Sequence, residues 1–264
     1  MSDNKPLTYI SYLKLEELLQ LQAPLSDGPE HDELLFIVIH QVYELWFKQV
    51  LHELDGLSDA LDQRDSARAL AALKRVLTIF KTLVSQVDIL ETMTPMSFNS
   101  FRTRLEASSG FQSAQFRELE FRLGHKRPKL VSNYPADSTE YQRLNAALQR
   151  PSVWMGLLGY LKAEGFPVPA AALARPVDAP VEADEVVQAA LVKAYQAGGF
   201  GMQLCERLVD LDEGLQEWRY RHVKMVERTI GSKPGTGGSM GAQYLRSTLF
   251  TPLFPDLWAI RSQL

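Results

Sequence analysis

Two histidines, one arginine and one hydroxyl in a glycine-rich loop are the residues best placed to do chemistry. His222 sits on a helical face that runs Leu204, Leu208, Leu211, Leu215, Trp218, His222, Met225 and Thr229, in steps of three and four. The commoner fate of an imidazole on such a face is a hydrogen-bonded core residue. No acidic partner shares the face, which favours a ligand role. An imidazole inside an apolar helical bundle is how an axial haem ligand presents itself. His40 ends the run Phe36-Ile-Val-Ile-His40, and Phe36 and His40 lie one above the other four residues apart. It is either a core histidine bonded to a backbone carbonyl or the second of two imidazoles flanking a cofactor held between helices. In the second case one ligates and the other faces the open side. The spacing fits neither His-Glu-x-x-His nor Glu-x-x-His, and His31 and His52 complete no metal motif.

Arg102 shares a helical face with Phe98, Phe101 and Leu105. Such an arginine usually snorkels to the surface. Beside aromatics it can instead offer a fork to a carboxylate, fixing both position and orientation. The stretch Gly231-Ser-Lys-Pro-Gly-Thr-Gly-Gly-Ser-Met-Gly241 follows a helix and matches neither a Walker A loop nor a dinucleotide fingerprint. It is either a flexible linker or a loop whose backbone approaches a ligand closely, with Thr236 as the hydroxyl it presents. Tyr9, Tyr12 and Leu13 are large residues in a polar terminal arm. They pack on their own core, the commoner outcome, or on another subunit.

The elements that must position these residues are helices. The pattern predicts helix from Glu33, capped by Asp32, to about Leu61, and from Ser66 to about Met93, stopped by Thr94-Pro95. Shorter helices follow: one capped by Ser97 and running through Leu105, then Phe111–Leu123, Thr139–Gln149, Ser152–Ala163 and Glu185–Gln196. Met202–Ile230 is long, and helix returns at Ala242. His125–Asp137 is expected to be a loop. Gly165–Val181, with four prolines, is expected to be an irregular surface excursion rather than a domain boundary. No segment alternates with period two. The class is all-α: a single-domain bundle of long helices spanning residues 1–264.

Composition narrows the function. One cysteine, Cys205, excludes an internal disulfide and multi-thiolate metal sites. With 28 basic and 32 acidic residues the net charge is −4, which argues against a nucleic-acid binder. The polar start and a longest strongly apolar run of only Leu34–Ile39 predict a cytoplasmic protein outside the membrane.

Five segments together resemble one family, tryptophan 2,3-dioxygenase. They are Phe36-Ile-Val-Ile-His40-Gln-Val-Tyr-Glu-Leu-Trp-Phe-Lys48, Phe98-Asn-Ser-Phe-Arg102, Ser108-Ser-Gly-Phe-Gln-Ser113, Trp218-Arg-Tyr-Arg-His222-Val and Gly235-Thr-Gly-Gly-Ser239. Tyr9–Leu13 resembles the family's N-terminal arm, and the chain has the family's compact, bacterial form. The resemblance implies an enzyme carrying haem b, ferrous when active. It would insert both atoms of O2 across the indole C2–C3 bond of L-tryptophan to give N-formyl-L-kynurenine, the first step of the kynurenine pathway. It implies a homotetramer built as a dimer of dimers.

By the same resemblance His222 is the axial iron ligand and His40 the distal histidine that bonds the indole N–H. Phe36 packs on the indole, and Phe98 lines the pocket where some members carry Tyr. Arg102 holds the substrate carboxylate. Thr236 bonds the ammonium, with help from a haem propionate. Ser109 and Gly110 lie near the haem face. Tyr9, Tyr12 and Leu13 close the pocket of a neighbouring subunit, so that residues 1–20 form an intersubunit arm. Met240 departs from the family's usual Ser or Gly, and its thioether would stiffen or crowd the loop after Thr236. A haem enzyme for another indole, or a non-catalytic haem-binding helical protein, are the alternatives.

Overall fold

The computed structural model describes residues 6–28, 30–106, 108, 110–236 and 241–264. Long proline-free stretches with apolar residues at steps of three and four form its helices. Two short ones open the chain, α1 (Tyr9–Leu13) and α2 (Leu15–Leu18). Then come α3 (His31–Asp62), α4 (Ser66–Leu90), α5 (Pro95–Arg102), α6 (Ala114–Leu123), α7 (Thr139–Leu148), α8 (Val153–Ala163) and α9 (Ala170–Leu173). The last four are α10 (Glu185–Ala197), α11 (Gly199–Ile230), α12 (Ala242–Ser247) and α13 (Pro255–Ala259). Among the described residues there is no strand, as the all-α expectation required.

Several boundaries differ from the sequence reading. α3 starts at His31, and its N-cap is Glu30 without a side-chain bond, so Asp32 lies inside the first turn. α5 is capped by Thr94, whose Oγ1 accepts from Ser97 N at 3.1 Å, not by Ser97. Pro95 at the first helical position, with φ already set, makes the earlier start the better one. α5 ends at Arg102 and tightens into a 3-10 turn over Thr103–Leu105. Ser113 caps α6, which begins three residues later than Phe111. α11 begins at Gly199 rather than Met202. The expected loop after α6 holds a 3-10 helix, Pro128–Asn133. The proline-rich stretch holds α9, with Val168 and Ala172 in the core.

α3 and α11 both pack along α4, and α6 and α8 close the far side of α3. The core is their shared apolar face: Val50, Leu54 and Leu57 of α3, Val76 and Leu83 of α4, and Leu211 and Leu215 of α11. One buried carboxylate ties the C-terminal segment to α11. Asp212 is fully buried, and its Oδ2 accepts from Leu253 N (2.9 Å), Phe254 N (3.1 Å) and Trp258 Nε1 (2.9 Å). Its Oδ1 accepts from Gln216 Nε2 at 3.0 Å.

Among the described residues α3 is the one helix long and apolar enough, by length and composition, to cross a membrane. Its 18-residue window averages a hydropathy of 1.3, so the apolar content reaches well beyond Leu34–Ile39. One face of α3 is core, while Leu34, Val38 and Leu45 stand on its exposed side. α1 buries no residue at all, and Tyr9 is 74% and Tyr12 69% exposed. The arm therefore does not pack on its own core, the commoner outcome expected from sequence. The chain exposes 14,619 Å², against about 11,600 Å² for a compact monomer of its mass.

Candidate functional site

Segments far apart in sequence converge on one cavity of about 260 Å³ between α3, α5, α6, α11 and α12. Phe36, His40, Phe98, Arg102, Thr236 and His222 all line it, and so does Gly110. Seven of the residues singled out from sequence are thereby brought together. Tyr9, Tyr12 and Leu13 are not among its lining. Ser109 and Met240 lie outside the described residues.

His222 owes its place to the α11 stripe. Leu204 to Leu215 bury in the core, and four residues on from Trp218 the same face opens onto the cavity. Trp218 stacks on the imidazole with ring centroids 5.1 Å apart and planes 19° apart. Phe116 and Phe47 pack on Trp218 in turn. Among the described residues no hydrogen bond engages the His222 ring. Burial, and then the nearby His40, lowers its pKa to about 4. It is a neutral imidazole with a lone pair to offer at neutral pH, the form a metal requires.

His40 is the opposite case, a histidine whose tautomer the backbone fixes. Its Nδ1 lies 2.7 Å from the Phe36 carbonyl oxygen, one helical turn earlier. A carbonyl only accepts, so Nδ1 carries the hydrogen and Nε2 is left as an acceptor. Burial lowers the pKa of this ring despite the raising effects of the Phe36 carbonyl and Glu44, which keeps that acceptor unprotonated. Phe36 lies against the imidazole at 4.1 Å between centroids and packs on Phe98 and Phe101.

Arg102, at the C-terminal end of α5, does not snorkel outward. Its NH2 donates to the Pro234 carbonyl at 2.6 Å, which anchors the start of the glycine-rich loop beside the cavity. Thr236 Oγ1 donates to the Ser108 carbonyl and pins the same loop to the segment after α5. Gly241 supports this turn. Its φ of +56° suits glycine, and a Cβ there would sit 2.8 Å from the Lys233 carbonyl oxygen.

The charged part of the wall escaped the sequence reading. Glu120 of α6 is buried and receives three arginines: Arg117 (2.5 Å), Arg127 (2.6 Å) and Arg219 (2.9 Å). Burial alone would raise its pKa, but the three guanidiniums outweigh that and hold it below the usual carboxylate range. Arg127 also donates to the Tyr244 hydroxyl at 3.1 Å, and Arg219 to the Thr248 and Thr251 carbonyls. His125 stands nearby with its pKa lowered to about 4, first by burial, and adds no charge at neutral pH. Counting Glu44 and Arg102, the cavity wall carries four guanidiniums against two carboxylates, a net charge of +2. The available signal was Arg219, three residues before His222 on the same helical face.

This arrangement can seat a flat, dianionic group against a neutral imidazole and a zwitterion against Arg102 and Thr236. The sequence profile described as tryptophan 2,3-dioxygenase matches residues 2–155 and 182–264. A tryptophan 2,3-dioxygenase of Herpetosiphon aurantiacus is 58% identical over 261 residues, 99% of this chain and 100% of the relative. One of Anaeromyxobacter dehalogenans is 60% identical over 258 residues, 98% and 96% of the two chains. One of Bacillus cereus is 43% identical over 261 residues, 98% and 93%. With the profile covering most of the chain and relatives matching at nearly full length, the chain belongs to the tryptophan 2,3-dioxygenase family.

Proposed function

We propose that this chain converts L-tryptophan and O2 to N-formyl-L-kynurenine, opening the kynurenine pathway of tryptophan breakdown. The observation that carries the reading is one cavity that receives two neutral imidazoles, His40 and His222, together with Arg102 and Thr236. The residues present fit haem b. His222 offers an unengaged, unprotonated imidazole, and the wall's net charge of +2 balances two propionates. Bound haem, with its iron ferrous, would supply dioxygen activation. In the overall reaction the indole C2–C3 bond breaks and each carbon gains one oxygen atom. Electrons balance between tryptophan and O2 without an external reductant.

The protein's own contribution is placement. His40 Nε2 accepts the indole N–H and orients the ring, and Phe36 packs on its face. His40 needs no role as a base, because an indole N–H is a very weak acid. Arg102 takes the substrate carboxylate and Thr236 bonds the ammonium, so the zwitterion is held at both ends. Phe98 lines the pocket beside Arg102, and Gly110, also in its lining, would flank the haem. The bonds from Arg102 to Pro234 and from Thr236 to Ser108 hold residues 234–236 beside the site.

The reading includes a single haem-binding domain over residues 1–264 and a homotetramer built as a dimer of dimers. Its support is the excess exposed surface and an arm that buries nothing in its own chain. Tyr9, Tyr12 and Leu13 would then close a neighbour's pocket. The enzyme is read as cytoplasmic, in keeping with one cysteine, Cys205, held buried and free.

The test is direct. Purified protein reconstituted with haem shows a Soret band, and the reduced protein with L-tryptophan and O2 generates formylkynurenine absorbance. His222→Ala loses the haem or its oxygen chemistry. An unchanged haem spectrum with full turnover in His222→Ala would overturn the ligand assignment, and no oxygen-dependent product from the native protein would overturn the function.

A further inference from the structure

The Glu120 node is an unusual thing to bury without purpose. Three guanidiniums meet one carboxylate that stays ionised, and both Arg219 and Arg117 are nearly solvent-free at 4% and 6% exposure. A buried net charge of this kind is costly unless another anion completes it. Within the node itself three guanidiniums face the single Glu120 carboxylate, a surplus of two positive charges. His125 does not add to it. The node also reaches two further elements, through Tyr244 of α12 and the carbonyls of Thr248 and Thr251.

We propose that Arg127, backed by Arg117 and Arg219 on Glu120, is the counter-ion for the two carboxylates of the prosthetic group. This fixes which end of the cavity they enter. The inference rests on the haem reading given above. Arg127 is the accessible member, with a side chain 26% exposed, while Glu120 holds the other two arginines in place. Charge at the edge of the group would then set its orientation, with His222 as the residue that would hold its metal. The node sits one helical turn from His222 through Arg219, so edge and axis are registered by the same helix, α11.

The probe is haem against its dimethyl ester, in which both carboxylates are blocked. Each is titrated into the apoprotein and followed by the Soret band. Native protein is expected to bind haem about 10- to 100-fold more tightly than the ester, the value of one to two charge-assisted hydrogen bonds. In Arg127→Met the preference shrinks to about threefold or less, and Arg127→Lys, keeping the charge, recovers part of it. Because the readout is a ratio within one protein, loss of folded material cancels. Equal binding of haem and ester by the native protein would overturn the proposal, as would an unchanged preference in Arg127→Met. Either result can coexist with full tryptophan turnover, so failure here is distinct from failure of the functional reading, which would show as no Soret band or no product.

Discussion

Replacing Asp212 with Ala leaves three donors without an acceptor: the buried backbone N–H groups of Leu253 and Phe254 and the part-buried indole N–H of Trp258. Each orphaned donor costs roughly 1–3 kcal/mol, and partial relaxation brings the sum to about 3–6 kcal/mol. That is a large part of the roughly 5–15 kcal/mol that holds a domain folded. Asp212→Asn behaves differently. Its amide oxygen can face the same three donors, and its NH2 can face Gln216 once that side chain turns its oxygen inward. Only the charge-assisted share is lost, about 1–2 kcal/mol. Urea unfolding followed by circular dichroism measures both, with slopes held equal to the native protein's. The expected order is native, then Asn, then Ala, with the wider gap between Asn and Ala. Equal losses in the two variants, or a loss under about 1.5 kcal/mol in the Ala variant, would show that the donors find other partners and that the carboxylate does not tie the C-terminal segment to α11.

Arg102→Ala removes both the partner of the substrate carboxylate and the bond to Pro234, and a cost of about 2–5 kcal/mol should raise KM for tryptophan at least 30-fold; unchanged affinity would refute the assignment. His40→Ala should lower kcat/KM only severalfold, the worth of about one neutral hydrogen bond, and steady-state kinetics will show it. Gly241→Ala forces a Cβ toward the Lys233 carbonyl at a positive φ, so the loop loses its hold and KM rises while the far-UV spectrum stays native. His125 has a folded pKa of about 4 against 6.5 unfolded, so below pH 6.5 the unfolded chain takes up a proton that the folded chain refuses. Stability should fall by about 2 kcal/mol from pH 6.5 to 4 on this account alone; His125→Gln should show a shallower decline in urea midpoints, and a parallel one would refute the shift.

The sequence made the placement of His222 in the cavity legible because eight residues in steps of three and four leave little freedom for where it points. Arg102 was legible as a face shared with aromatics. What escaped has a common physical origin. The Pro234 and Ser108 carbonyls that anchor Arg102 and Thr236 are backbone acceptors, and a backbone acceptor has no residue type to recognise. Glu120 and its arginines come from α6, α11 and the connection after α6, so each looks like an ordinary surface charge until the chain brings them together. The own-core expectation for the arm failed for the converse reason. Tyr9, Tyr12 and Leu13 look like core residues, but α1 closes on its own capping box of Thr8 and Ser11 and touches no core.

The histidines His40 and His222 sit on helices near opposite ends of the chain, and α4 packs along both. This wide separation has a consequence for the order of events during synthesis. While the ribosome is still making α10, α3 and α4 can pair, but the wall that carries His222, Arg219 and Tyr244 does not yet exist. The pocket is therefore among the last features to form, and most of its closing contacts are of long range, the kind that slows folding. On the haem reading proposed above, cofactor capture would follow completion of this wall. Until then the nascent chain presents the apolar face that α11 will cover, which makes this interval the one in which chaperones and cofactor supply govern yield.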